Sequence, residues 1–259
     1  MNILLVRRSP RFSPHSTEAD SAILDSVGRN LEQMGFGVTV TDEDSLAAGS
    51  VPDGTDAVLH MTRSEEALER IDISGVPAVN GTASVRACVR GTLVRRLEGS
   101  GLIPESMVCR TAHGVPAGWH SWPCWVKRAD SQASLGTGDV SLAGNADECA
   151  GIMQTFGNRG IGECVLQKHM SGRTVKFYAV KGAGIVGMDS EGTDIGLIGD
   201  IAERAAALLG LEVFGGDAVI CNDGSAVAVD INDWPSFGVC REKAALAIAR
   251  LVSDKLRVL

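Results

Sequence analysis

Three oxygen-bearing side chains near the C-terminus, Asp217, Asp230 and Asn232, lie in two apolar runs joined through Asn222-Asp223-Gly224-Ser225. An Asp-Gly pair between such runs predicts a β-hairpin with a two-residue type I′ turn, which needs φ > 0 at both central residues. That register sets Asn222 opposite Ser225, Ile220 opposite Val227 and Asp217 opposite Asp230. It also predicts Asn232 on the face of Asp230, with Val227, Val229 and Ile231 turned to the core. Opposed carboxylates with Cβ atoms roughly 5 Å apart repel each other. A divalent cation would turn that repulsion into attraction, and oxygen-only ligands suit Mg²⁺, with Mn²⁺ as a substitute. The competing reading is a solvated pair, since a one-residue slip sends every side chain to the other face.

Other segments offer cations. Lys127 ends the strand pattern Trp122-Pro-Cys-Trp-Val-Lys127 and precedes the small, polar stretch 129–138. A lysine so placed can hold a phosphate as a point charge, or can be an ordinary exposed side chain. The 129–138 loop could offer backbone N–H groups to anions, but it matches neither the P-loop nor the dinucleotide-binding glycine pattern. In the next strand pattern Thr174, Lys176 and Tyr178 alternate onto one face, and Gln167 and His169 share a face of the strand before it. Those two could flank a nucleotide base or be edge-strand polar residues. Arg7, Arg8 and Arg11 follow the first strand, where α/β sheets place ligands, and their forks suit carboxylate or phosphate; a solvated loop is the alternative.

The elements that must position these residues follow from periodicity. The spacing predicts short strands at 2–6, 38–40 and 57–60, and helices at about 17–34 and 64–70, an alternation that makes a small parallel α/β unit. Val85, Val89, Leu93, Val94 and Leu97 predict one further helix, and later helices are expected at 147–156, 198–209 and 243–252. Strands 163–169 and 174–180 are expected to join as a second hairpin around Ser171-Gly172. Strand-rich stretches with segregated helices make the second part α+β.

The 259 residues are 44% hydrophobic, enough for more than one structural unit. With 24 basic and 32 acidic side chains the formal charge is −8, which argues against a nucleic-acid partner but not against an anionic small molecule. The opening Met-Asn-Ile-Leu-Leu-Val-Arg-Arg has too short an apolar run for a signal peptide, and no later run is long enough for a membrane span. Seven cysteines without a C-x-x-C pair suit reduced thiols better than disulfides or zinc. The expectation is a soluble cytoplasmic protein with no membrane partner.

In order, Pro-Cys-Trp-Val-Lys127, Val-Leu-Gln167-Lys-His-Met-Ser-Gly172, Lys176-Phe-Tyr, Gly216-Asp217 and Asp230-Ile-Asn232-Asp-Trp-Pro-Ser-Phe237 resemble the ATP-grasp superfamily. The resemblance runs from about 79 to 259. It implies an N-terminal α/β domain with a small parallel sheet at 1–80, then an α+β ATP-grasp domain of two subdomains at 81–259, with 105–178 as the lid subdomain. It further implies ATP between the subdomains, with Lys127 at the phosphates and Gln167, Lys168 and His169 bordering the adenine. Asp217, Asp230 and Asn232 match the magnesium ligands. Lys176 matches a position where many ligases of the superfamily carry an arginine near the transferred phosphate, so Lys176 and nearby Arg173 are the candidate catalytic residues. Where the superfamily often has a phosphate-binding lysine, this chain has Arg86 and Arg90, and Arg90 is the candidate. Asp230 stands where most carboxylate ligases have glutamate, a feature similar to the inositol polyphosphate kinases.

The leading expectation is a ligase that activates a small-molecule or peptide carboxylate for attack by an amine, with the Arg7, Arg8 and Arg11 loop as a holder for an anionic substrate. The alternatives are a small-molecule kinase with Asp233 as base, and a non-catalytic nucleotide-binding module.

Overall fold

The first strand is apolar without alternation because it is buried on both faces, as parallel strands between helices are. The computed structural model describes residues 1–13, 16–130, 136–189 and 195–258. Its elements begin β1 (Asn2–Arg7), α1 (Thr17–Gln33), β2 (Gly37–Asp42), α2 (Glu43–Ala48), β3 (Ala57–His60), α3 (Glu65–Ser74) and β4 (Ala78–Val79). They continue with α4 (Thr82–Ala87), α5 (Arg90–Leu97), β5 (Ser106–Arg110), β6 (Cys124–Arg128), β7 (Val140–Ala143), α6 (Ala146–Asn158) and β8 (Glu163–Lys168). The chain ends with β9 (Gly172–Val180), β10 (Gly184–Met188), α7 (Ile195–Leu209), β11 (Val213–Cys221), β12 (Ala226–Asp233) and α8 (Arg241–Val258).

Two compact units result. The first comprises Met1–Val85, Lys176–Gly216 and Asp233–Leu259; the second comprises Arg86–Val175 and Asp217–Asn232. The first unit holds the expected parallel sheet, in the order β2-β1-β3-β4. Ile3 and Leu5 face α1 and α8 through Ile23, Leu24, Ile248 and Val252, whereas Leu4 and Val6 face Leu46, Ala67 and Ile71 of α2 and α3. The loops after β1 and β3 are tied by the fully buried Glu43, which accepts from the backbone N–H of Ser9 (2.8 Å), Arg63 (2.6 Å) and Ser64 (2.5 Å).

The second unit is built on an antiparallel sheet, β5-β8-β6-β7. Strand alternation gives it two different faces. Cys124 and Val126 of β6 and Cys164 and Leu166 of β8 pack with Met153 and Phe156 of α6. Lys127 and Gln167, one residue out of step with them, belong to the opposite face, where Val165 packs with Val94 of α5. The remaining sheet has the order β10-β9-β11-β12.

Four sequence expectations need correction. β8 and β9 lie in different sheets, so Ser171-Gly172 joins two sheets and makes no hairpin. The single helix expected through Val85 and Leu97 is two, because Val89 is extended (φ −60, ψ 124) and α5 starts afresh at Arg90. The Asp223-Gly224 tip is no type I′ turn: Gly224 has φ 83, but Asp223 is not among the residues of positive φ. Gly224 N–H instead donates to Cys221 O at 3.0 Å and Cys221 N–H to Ser225 O at 2.8 Å, a three-residue loop closed by a left-handed glycine. Cys221 rather than Asn222 therefore faces Ser225, one residue from the expected register at the tip. Along β12 the buried residues are Ala226 and Ala228 and then Ile231 and Asp233, so burial changes parity between 228 and 231. Val227 and Val229 are outside the core, and only Ile231 of the three expected apolar residues is inside it.

Candidate functional site

Lys127 is the centre of the polar cluster on the face of the β6–β8 pair that packs with α5. The register puts Trp125 opposite Gln167 and Lys127 opposite Val165, which leaves Lys127 and Gln167 as diagonal neighbours on one face. The Lys127 ammonium is 9% exposed and donates to Gln167 Oε1 at 2.7 Å and to the Val229 carbonyl at 3.1 Å. An ammonium has three N–H donors, and two of them are used among the described residues. Burial is the largest influence on this amine and lowers its pKa from 10.5 to about 8, with Arg90 acting in the same sense; Asp230 and Asp217 oppose them. Two candidate metal carboxylates and a candidate phosphate lysine are thus within electrostatic reach of one another in one unit.

Asn232 and Asp230 share a face of β12, and Asn232 Nδ2 donates to Asp230 Oδ2 at 3.1 Å. Two carboxylates and an amide oxygen are hard donors that fit Mg²⁺ or Mn²⁺. Among the described residues no group of three or more His, Cys, Asp or Glu side chains has an arrangement suited to a metal.

Arg90, 7% exposed, opens α5 and donates from Nη1 to the Arg128 carbonyl at 2.8 Å, while its buried Nε has no hydrogen-bond partner among the described residues. Arg128, next to Lys127, is gripped by Asp130 (2.6 Å) and lies 3.6 Å from Asp139, which also pairs with Arg159. These contacts fix the ends of the expected phosphate loop, whose residues 131–135 lie outside the described residues.

The other expected residues are placed less uniformly. His169 accepts from Trp125 Nε1 at 3.2 Å, which joins the ends of β6 and β8. Lys168 alternates away from Gln167 and is exposed, so its side chain is not on the Lys127 face. Arg173 and Lys176 are exposed on β9, and Lys176 N–H donates to Asp189 Oδ1 at 2.8 Å. Tyr178 does not join Lys176 on an exposed face; it is buried against Phe237, with ring centroids 5.6 Å apart.

The remaining expected residues have partners within their own chain. The arginines after β1 are occupied by their own chain: Arg7 pairs with Asp25 (2.6 Å) and Arg11 with Asp44 (3.4 Å). Arg8 is buried between Asp20 (2.9 Å) and the carbonyls of Met61 and Trp234, and burial lowers its pKa to about 10. Arg7 and Arg11 keep 43% and 56% of their side chains exposed, so of the three only Arg8, at 7%, is withdrawn from a ligand. Asp233 is fully buried and faces Arg63 at 3.1 Å, which removes it as an accessible base.

Sequence reasoning missed the Val229 carbonyl, since any residue supplies one and only the fold aims it. It also missed Asn80, whose buried side chain donates to Val213 O at 2.7 Å and accepts from the N–H groups of Glu212 and Val213 at 2.8 Å. Asn80 follows Pro77-Ala-Val at the end of β4, a place where a buried amide leaves no periodic signal. The first unit also has a cavity of about 890 Å³ beside α8, lined by Pro77, Val186, Leu246 and Leu251, which contains none of the expected site residues.

No protein-family model matches the chain, and comparison with curated proteins finds no significant match. Solved structures do match. A RimK domain protein ATP-grasp from Sphaerobacter thermophilus has a TM-score of 0.71 at 19% identity, covering 98% of this chain and 100% of that one. The D-alanine-D-alanine ligase of Coxiella burnetii has a TM-score of 0.74 at 12% identity, covering 99% and 96%. That of Bacillus anthracis, solved with ATP, has 0.71 at 13% identity, covering 98% and 99%. At such identities and coverages the likeness is one of fold: the chain has the ATP-grasp fold, an α/β N-terminal part followed by an α+β part.

Proposed function

We propose that this protein is a Mg²⁺-ATP-dependent ligase that activates a carboxylate of a small molecule or peptide as an acyl phosphate, which an amine then attacks. The observation that carries it is the buried Lys127 ammonium, held by Gln167 and the Val229 carbonyl within reach of Asp217 and Asp230. The neighbours of like fold that are ligases, one of them solved with ATP, support the choice of reaction.

Lys127, with a pKa of about 8, carries its charge at neutral pH and would take a phosphate oxygen on its remaining N–H; the negative phosphate would raise that pKa again. Gln167 would fix the lysine's direction and offer its amide to the nucleotide. Arg90, buried beside Arg128, would add positive potential on the same face. Asp217, Asp230 and Asn232 would hold Mg²⁺, which when bound neutralises phosphate charge as the γ-phosphoryl group moves. Lys176 and Arg173 are the proposed cations for the transferred group. Catalysis of this kind is mainly positioning and charge stabilisation.

A hydroxyl acceptor, the kinase reading that Asp230 in place of glutamate first suggested, loses its proposed base because Asp233 is buried against Arg63. The test is ADP release and product analysis with pools of carboxylates and amines. ADP that appears only when an amine is present, with a condensed product, bears out the ligase. ADP with a phosphorylated product and no amine requirement overturns it in favour of a kinase, and nucleotide binding without turnover overturns both.

A further inference from the structure

Four of the seven cysteines meet in the core of the second unit, on the sheet face away from Lys127. Cys109 of β5 lies directly opposite Cys164 of β8. Thr111 N–H donates to Gly162 O at 3.1 Å and Lys168 N–H to Glu105 O at 2.9 Å, which fixes the parity of this ladder. Every second residue from 105 to 111 is therefore in a hydrogen-bonded pair, Cys109 included, with a Cα separation of about 5.5 Å. That is the usual separation across a disulfide. The two Sγ atoms are 3.5 Å apart, and they need to approach by only about 1.5 Å to bond.

The environment distinguishes the two partners. Cys109 is partly exposed, whereas Cys164, Cys124 and Cys149 are buried. The thiols of Cys109 and Cys164 share a hydrogen bond in which either sulfur can donate, and it holds the Cys109 pKa below its ordinary value and raises that of Cys164. Burial pushes Cys124 and Cys149 up, so they stay thiols. Among the described residues no metal-holding cluster includes these sulfurs.

We propose that Cys109 and Cys164 are a reversible redox pair, with Cys109 as the peroxide-sensitive sulfur and Cys164 as its resolving partner. Hydrogen peroxide transfers an oxygen to the Cys109 sulfur, giving a sulfenic acid and one water. The Cys164 sulfur then attacks the Cys109 sulfur, its proton leaves with the sulfenic hydroxyl as a second water, and the disulfide remains. Both thiols are oxidised and the peroxide is reduced. The bond would fasten β5 to the strand that presents Gln167, without altering the Lys127 face.

Peptide mapping after hydrogen peroxide treatment of the folded, full-length protein, with free thiols alkylated, tests this. The expected result is a linked peptide pair containing Cys109 and Cys164, lighter by two hydrogens and restored by dithiothreitol. Cys164→Ser should abolish the link and leave Cys109 to proceed to sulfinic acid, and Cys109→Ser should leave Cys164 reduced. The wild-type map alone can overturn the proposal: sulfinic acid at Cys109 without a link, prior oxidation of another cysteine, or seven intact thiols at a peroxide dose that fully oxidises free cysteine would each do so.

Discussion

Single residues decide the chemistry here. Lys127 was visible in the sequence as a lysine ending a strand, but its burial and its two acceptors depend on strands far apart in the chain. Asp230 is the residue on which the proposed metal set turns, since Asn232 is bonded to it. Asp230→Ala should reduce Mg²⁺-dependent ATP turnover to background while the melting temperature stays within a few degrees; undiminished turnover in a folded variant would remove the metal role. His60 gives a pH prediction separate from the site. It is fully buried, with Nδ1 2.7 Å from Thr62 Oγ1 and Nε2 2.8 Å from Asn80 O, and burial lowers its pKa below 6.5. The unfolded chain then takes up the proton first as pH falls. Stability from this residue is complete above about pH 6.5 and is lost below it. Urea denaturation from pH 8 to pH 5 should show that loss in the wild type and a shallower one in His60→Gln; parallel curves would contradict the assignment.

At the scale of elements, close backbone approach leaves a sharper prediction than side-chain packing does. A Cβ on Gly172 would lie 2.1 Å from Ile220 O, a backbone atom that cannot swing aside. Gly172→Ala should therefore cost about 1–3 kcal/mol, read as a lower urea midpoint, and a neutral result would mean that β9 and β11 can separate freely. The same elements show what could be read beforehand. The apolar run of β1 and the spacing of Ile23, Leu24, Val27 and Leu31 were legible because burial on fixed faces leaves periodicity. The break at Val89 was not, since neither glycine nor proline marks it. Asp-Gly was read as a two-residue turn, yet the same pair serves a three-residue loop in which only glycine needs positive φ. Ser171-Gly172 was taken for a hairpin tip because local sequence cannot say that the flanking strands choose partners in different sheets.

At the scale of the whole chain, the order of the pieces was more informative than any one of them. The tip register that first placed Asp217 against Asp230 was off by one residue, but both carboxylates still act on the Lys127 ammonium. The ordered series pointed to the fold that the solved structures share at 12–19% identity. A net charge of −8 leaves the proposed ATP recognition to a local cluster, which makes nucleotide binding a sensitive probe of it. The most direct measurement is calorimetric titration of a non-hydrolysable ATP analogue into the wild type and Lys127→Ala, each with Mg²⁺ and with EDTA. The expected result is Mg²⁺-dependent binding to the wild type, weakened about tenfold or more by Lys127→Ala, the loss of at least ~1.4 kcal/mol. Absence of binding to the folded wild type, or equal affinity in the variant, would contradict an ATP site centred on Lys127.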